Sequence, residues 1–272
     1  MGFIAGCCSR QSKWIRVVKM KTGTVAAVFV TFFLFQGASK GNTCKEVTDE
    51  VITKHLALET FTVMSRRELN GLCEVIINTE NRVISFYGNK KFLISGEMYE
   101  NGSSLTESML YDINKSLLKS SISEVESCAV FTYLPAEVKT EKTLYMFTDP
   151  LCPFCNRIGG EIKVLSDRVG FKVKVLLLNV HGDKGREKCI EAVCRNSVNP
   201  SFNFIEYNKP EWKKSDTKKE FICPKGSEVV DKTEKLSEKL GIDSVPFFFI
   251  NDGRHVSGAS IEDVELLFNS GE

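Results

Sequence analysis

The spacing of apolar residues along this chain changes period several times, and each change marks an element. Leu144 to Phe147 is a short apolar run that reads as a strand. Ile158, Ile162, Leu165 and Val169 follow at steps of four, three and four, which is one face of a helix. Gly170 stands where a helix takes a left-handed C-terminal cap. Gly159 and Gly160 lie inside that pattern. Each costs about 1 kcal/mol against alanine, so a kink or a close approach is expected there. Phe171 to Val180 is almost continuously apolar through Val173, Val175, Leu176, Leu177 and Leu178, as a buried strand should be. Leu236 and Leu240, one turn apart, end a further helix that Gly241 caps. Pro246 then opens the strand Phe247 to Ile250, a position where a strand tolerates proline. Asn251-Asp252-Gly253 is a tight turn, Arg254 to Ala259 the paired strand, and Ile261, Val264, Leu267 and Phe268 mark a final helix.

Upstream, Ser104 and Glu107 form a capping box ahead of the clearest helical pattern in the chain. Leu105, Met109, Leu110, Ile113, Leu117, Leu118 and Ile122 make one apolar stripe, so a single helix is expected over residues 104–127. Val130 to Leu134 resumes the sheet before Pro135. Strand, helix, strand, long insertion, hairpin, helix is an α/β (α+β) order. There is no internal repeat and no low-complexity tract.

Composition adds compartment and size. A chain of 272 residues has a prior of about two domains, and 42% hydrophobic residues suffice for packed cores. A net charge of +1 gives no footprint for nucleic acid. The pairs Lys213-Lys214 and Lys218-Lys219 read as solvated surface, and His55, His181 and His255 have no ligand-like spacing. At the N-terminus Lys13, Arg16, Lys19 and Lys21 precede the apolar stretch Val25 to Phe35, and Gly37-Ala38-Ser39 supplies small residues. That is the layout of a secretory signal, expected over residues 1–39 and too short to span a bilayer comfortably. Met20-Lys21 begins a complete signal by itself.

The candidate chemistry lies at Phe147-Thr148-Asp149-Pro150-Leu151-Cys152-Pro153-Phe154-Cys155, where the strand gives way to the helix. A cysteine at a helix N-terminus meets free N–H groups and the positive end of the macrodipole, which favour a thiolate. The thiolate is the reactive form, so Cys152 is the expected nucleophile and Cys155 the resolving thiol. Pro153 fits an early helical position. Eight cysteines remain past the signal, an even number that in an exported chain points to disulfides. The competing reading, a zinc site from Cys152, Cys155, Cys189 and Cys194, conflicts with an oxidising compartment; no metal or other cofactor is expected.

The C-x-x-C at a strand-to-helix corner is the reactive corner of a thioredoxin-like fold. From about Gly71 onward the chain resembles the bacterial periplasmic disulfide isomerases of the DsbC and DsbG type. Phe147 to Cys155 matches their F-T-D-x-x-C-x-x-C segment, and Gly241 to Phe247 their G-[VI]-x-x-x-P-[AF] segment. Gly71 to Ile77, Arg82 to Tyr87 and Phe92 to Tyr99, the last ending in Gly-x-Met-Tyr, resemble strands of the family's dimerisation domain. The resemblance implies a cis Val245–Pro246 bond facing the dithiol and a structural disulfide between Cys194 and Cys223. Cys44, Cys73, Cys128 and Cys189 then allow three pairings; Cys44–Cys73 lies within one small domain and is preferred, which leaves Cys128 with Cys189. Pro153-Phe154 stands where the isomerases often carry Gly-Tyr, and Val245 where they have threonine. Proline and valine at those places are similar to the oxidase DsbA. Thioredoxin's acid six residues before the nucleophile is replaced by Met146, as in the isomerases.

The expected organisation is a signal peptide (1–39), a small β-rich dimerisation domain (40–103), a linker helix (104–127) and a thioredoxin-like catalytic domain with a helical insertion (128–272). The expected function is that of a periplasmic, homodimeric disulfide isomerase. Its partners would be unfolded or misoxidised exported proteins and a DsbD-like membrane reductant. A DsbA-like oxidase and a dimeric holdase chaperone are the competing readings.

Overall fold

The computed structural model describes residues 42–79 and 83–269; the expected signal segment lies outside them. Helices α1 (Thr43–Glu46) and α2 (Asp49–Leu56) come first, the second opened by Thr48, whose hydroxyl accepts the Val51 N–H. Strands β1 (Thr62–Leu69), β2 (Leu72–Asn78), β3 (Val83–Asn89) and β4 (Phe92–Ser95) then form an antiparallel sheet in that order. The expected upstream strands are β2, β3 and β4, whereas α2 and β1 were not read from the sequence. The signal that marks β1 is Asn70-Gly71, with φ 50° and 87°, a left-handed pair of the kind that joins hairpin strands. The buried face of this sheet places Cys73, Val75 and Ile77 against Val47 and Ile52, and the Cys44–Cys73 disulfide ties α1 to β2.

A hairpin of β5 (Tyr99–Glu100) and β6 (Ser103–Ser104) leads into α3 (Leu105–Ser120), where Ser104 Oγ accepts the Glu107 N–H at 3.0 Å. The single helix expected over 104–127 is two. Ser121, at φ −97° and ψ 5°, ends α3 and starts α4 (Ile122–Cys128). Its N–H is shared between the Leu117 and Leu118 carbonyls. The break allows Leu118, Val125 and Cys128 to enter one buried cluster.

The remaining elements are β7 (Phe131–Tyr133), β8 (Thr143–Thr148), α5 (Pro153–Val169), β9 (Lys172–Leu177), α6 (Gly182–Val198), α7 (Phe204–Tyr207), α8 (Pro210–Lys214), α9 (Pro224–Leu240), β10 (Phe247–Ile250), β11 (His255–Ser257) and α10 (Ile261–Asn269). Their sheet runs β11-β10-β8-β9-β7, with β8 and β9 parallel and the outer pairs antiparallel. A parallel pair needs a crossover, and α5 supplies it. Alternation along β8 sends Leu144 and Met146 to one face with Ile158, Ile162 and Val264, and Tyr145 and Phe147 to the other with Leu236 and Leu240.

That two-faced core corrects one expected pairing. Cys128 is buried in the cluster of Tyr145 and Leu236, whereas Cys189 is buried in the cluster of Met146 and Ile158, so the sheet stands between them. Both are free thiols.

Candidate functional site: a dithiol at the N-terminus of α5

Strand register brings the site together. Phe247 pairs with Phe147, so the Val245–Pro246 segment arrives beside the end of β8 from far along the chain. The Val245–Pro246 bond is cis, and the Pro246 carbonyl accepts the Gly258 N–H at 2.9 Å. Cys152 is the N-cap of α5 with extended backbone, and Pro153 fills the first helical position. The Cys155 N–H points at Cys152 Sγ from 3.4 Å, satisfying one of the free donors of the helix start. On its other side Cys152 Sγ is 3.7 Å from the Val245 carbonyl oxygen. Cys152 is only 4% exposed, while Phe154 beside it is 58% exposed with the Arg157 guanidinium over its ring.

Cys155 lies beneath, fully buried. Burial pushes its thiol up to about 12, with the neighbouring Thr148 hydroxyl and the Asp149 backbone pulling the other way. The two sulfurs are thus unlike: one at the rim of a helix terminus, the other a protonated thiol in the core. Such a pair can open a disulfide with the outer sulfur and resolve the product with the inner one.

Three residues around the dithiol were not read from the sequence as site residues. Asp149 is completely buried, and its carboxylate accepts the Leu151 N–H at 2.7 Å and the Val180 N–H at 2.8 Å, with His181 Nδ1 at 3.0 Å. Tyr207 of α7 is also completely buried, and neither its hydroxyl nor that of Thr148 has a hydrogen-bond partner. The third is Lys213, read as solvated surface but 5% exposed. Its Nζ donates to Asn208 Oδ1 at 3.2 Å and stands 4.4 Å from the centre of the Tyr207 ring. Burial lowers Lys213 to about 8, opposed by the Cys155 and Cys152 sulfurs. The correction has a physical reason: α8 lies on the aromatic cluster of Phe202, Tyr207 and Trp212, so one lysine of the pair is covered while Lys214 stays exposed. The aromatic residues just before the lysines were the available signal.

The second C-P step, Cys223-Pro224, repeats the local design at the start of α9, where the Gly226 N–H faces Cys223 Sγ at 3.4 Å. There the sulfur is closed in the Cys194–Cys223 disulfide, which fastens α6 to α9. With Cys194 in that bond, the four-cysteine zinc site considered from sequence has lost a ligand. Among the described residues no cluster of three or more metal-ligating side chains occurs. No helix of the described residues is long and apolar enough to cross a membrane.

Residues 135–265 match the family of thioredoxin-like domains. The chain is similar to a linker-shortened variant of ScsC from Proteus mirabilis at 16% identity, over 60% of this chain and 86% of that one, with a TM-score of 0.49. It is similar to the thiol-disulfide exchange protein alpha-DsbA2 of Wolbachia pipientis at 16% identity, over 58% and 95%, with a TM-score of 0.46. It is also similar to DsbG of Helicobacter pylori at 16% identity, over 74% and 97%, with a TM-score of 0.40. No curated protein matches the chain.

Proposed function

We propose that this protein is a thiol-disulfide oxidoreductase of the periplasm that acts as a disulfide isomerase on exported proteins. The observation that carries the reading is the unequal dithiol: Cys152 Sγ at the N-cap of α5, facing the Val245 carbonyl, above a buried Cys155 held as a thiol. Cys152 attacks a wrong disulfide and forms a mixed disulfide; the leaving substrate sulfur departs as a thiolate. A substrate thiol then displaces Cys152, which isomerises the client, or Cys155 does so, which reduces it. An extended client lies along the Val245 backbone, where main-chain hydrogen bonds hold it without reading its sequence. The reductant that keeps the pair as a dithiol is a DsbD-like membrane protein, and the β1–β4 sheet pairs two copies into a homodimer that holds clients between its sites.

Full-length variants test the roles. Cys152→Ser abolishes refolding of a scrambled disulfide protein, whereas Cys155→Ser accumulates mixed disulfides through Cys152. Faster alkylation of Cys155 than of Cys152 at neutral pH reverses the assignment. A thiol oxidase is the second reading, favoured by Pro153 and Val245 flanking the sulfurs. Thiol trapping in cells separates the two: an isomerase is found reduced and an oxidase oxidised.

A further inference from the structure

The Val245 backbone holds an extended client without reading its side chains, so any selectivity comes from the walls around Cys152. One wall is a cavity of about 390 Å³ that Leu151, the residue immediately before the nucleophile, helps to line. The start of α6 adds Lys184, Glu187 and Lys188, and the end of α8 with the loop after it adds Lys213, Lys214 and Asp216. Leu151 is fixed in place beside the sulfur. Its N–H is held by the buried Asp149 carboxylate at 2.7 Å, and the Asp149 carbonyl accepts the Cys152 N–H at 3.1 Å.

The lysines of this cavity are not alike. Lys184 and Lys214 are exposed, whereas Lys188 and Lys213 are buried. Lys188 is fully provided for: its Nζ has the Glu191 carboxylate at 2.9 Å, the Ser215 carbonyl at 2.9 Å and the Trp212 ring beneath it. Lys213 has no carboxylate. Its Nζ meets the neutral Asn208 Oδ1 at 3.2 Å and the face of the Tyr207 ring. Burial brings it down only to about 8, so it is still mostly charged at pH 7. Glu187 and Asp216 are exposed, and among the described residues neither forms an ion pair with Lys213. Burying an ammonium without a counter-ion is costly, and an anion arriving from outside removes that cost.

We propose that this cavity is a carboxylate-binding subsite beside the dithiol, in which Lys213, with Lys184 and Lys214, receives the side chain of an acidic residue near the reacting cysteine of the client. The proposal rests on the oxidoreductase reading above and adds a substrate preference to it. The reach is sufficient. The α-carbons of Leu151 and Cys152 are about 4 Å apart, and a mixed disulfide sets the client's α-carbon about 6 Å from that of Cys152. A residue one or two positions along the client lies about 3–7 Å further on, within reach of the cavity for a long acidic side chain. Charge selects the same occupant. With Lys188 neutralised by Glu191, three lysines stand against two acids, and the buried lysine is the one without a partner. The volume is at the small end of ligand pockets, enough for a side chain and its water but not for a folded partner.

The test uses symmetrical peptide disulfides, identical except for glutamate, glutamine or lysine two residues from the cysteine, mixed with the reduced full-length protein. Cleavage is followed by chromatography, and each rate is divided by that of the same peptide with dithiothreitol, which removes the peptide's own reactivity. At low ionic strength the glutamate peptide is cleaved about tenfold faster than the glutamine peptide, and the lysine peptide more slowly than either. The advantage shrinks at about 1 M salt, where the screening length is about 3 Å, and is lost when the glutamate is moved five residues from the cysteine. Lys213→Met brings the glutamate-to-glutamine ratio to within about twofold of unity, and Lys213→Arg, which keeps the charge, preserves it. A ratio near unity in the wild type, or an undiminished ratio in Lys213→Met, overturns the subsite. If Lys213→Met does not fold, an unchanged ratio in the double variant Lys184→Gln with Lys214→Gln overturns it. Glutathione disulfide, a small disulfide with carboxylates of its own, is run beside the peptides. If it alone loses rate in Lys213→Met, the cavity serves a small thiol and the client reading is overturned. A wild type that cleaves no disulfide overturns the oxidoreductase reading instead.

Discussion

At the scale of single residues, burial separates the chemistry of like groups. Cys152 and Cys155 share a helix turn, yet one is the cap and the other lies in the core. Lys213 and Lys214 are neighbours, yet only Lys213 is buried. Its ordinary value is 10.5 and its folded value about 8, so between those pH values the unfolded chain binds the extra proton. Stability therefore rises with pH across that window, and the full penalty is present below about pH 8. Cys155 acts in the opposite sense, since a thiol raised from 9.0 to about 12 withdraws stability as pH climbs through that range. Lys213→Met removes only the first effect. The variant is expected to be more stable than the wild type at pH 7, by on the order of 1–3 kcal/mol. The gap should close between pH 8 and 10.5. Urea unfolding at pH 7 and pH 10 measures it, and a pH-independent gap would count against a buried charge.

At the scale of elements, α5 shows why two adjacent glycines are not equivalent. The helix is continuous from Pro153 to Val169 across both glycines. A β-carbon on Gly159 would overlap the Asn208 side chain, which is the partner of Lys213 Nζ, whereas one on Gly160 meets open space. Close approach explains the first glycine, and nothing in the structure explains the second. Gly160→Ala should stabilise the fold by about 0.5–1 kcal/mol through helix propensity and a less flexible unfolded chain. Gly159→Ala should destabilise it by about 1–3 kcal/mol, as overpacking does, and move Asn208. Thermal unfolding of the pair is the check, and equal effects of the two would remove the close approach. The short β1–β2 turn makes a similar point, because Asn70 and Gly71 are both left-handed and an alanine at Gly71 is strained even in open space.

At the scale of the whole molecule, two disulfides each close a span of 29 residues and stand in different parts of the fold. Cys44–Cys73 joins the first helix to the small sheet, and Cys194–Cys223 joins α6 to α9. A bridge of that span stabilises by about 2–4 kcal/mol. Replacing Cys44 and Cys73 together by alanine should lower the unfolding midpoint while the wild-type rates of dithiol exchange persist, since neither residue touches the site. Loss of dithiol exchange with an added disulfide in that variant would tie the small sheet to the chemistry. Sedimentation of the protein tests the proposed homodimer, which a monomer at micromolar concentration would refute.

The elements of the C-terminal half were legible because burial on both faces of a sheet writes long apolar runs, and because helix ends demand caps such as Ser104, Gly170 and Gly241. The C-x-x-C was legible from the spacing of its two cysteines where a strand gives way to a helix, not from the helix start alone, since Cys223 caps α9 in the same way and is closed in a disulfide. The N-terminal helix α2 and strand β1 were not, since their exposed faces carry mixed charges and dilute the period. The break at Ser121 was hidden by an apolar stripe that runs through it. Residue spacing alone could not pair Cys128 or Cys189, because which face of the sheet a side chain reaches depends on how α4 and α6 pack. The same reason governs Lys213. Sequence by itself determined the chain's local periodicities, its caps and its C-x-x-C pair. Only tertiary structure decided which charges lose their water, because desolvation is imposed by neighbours that are distant along the chain.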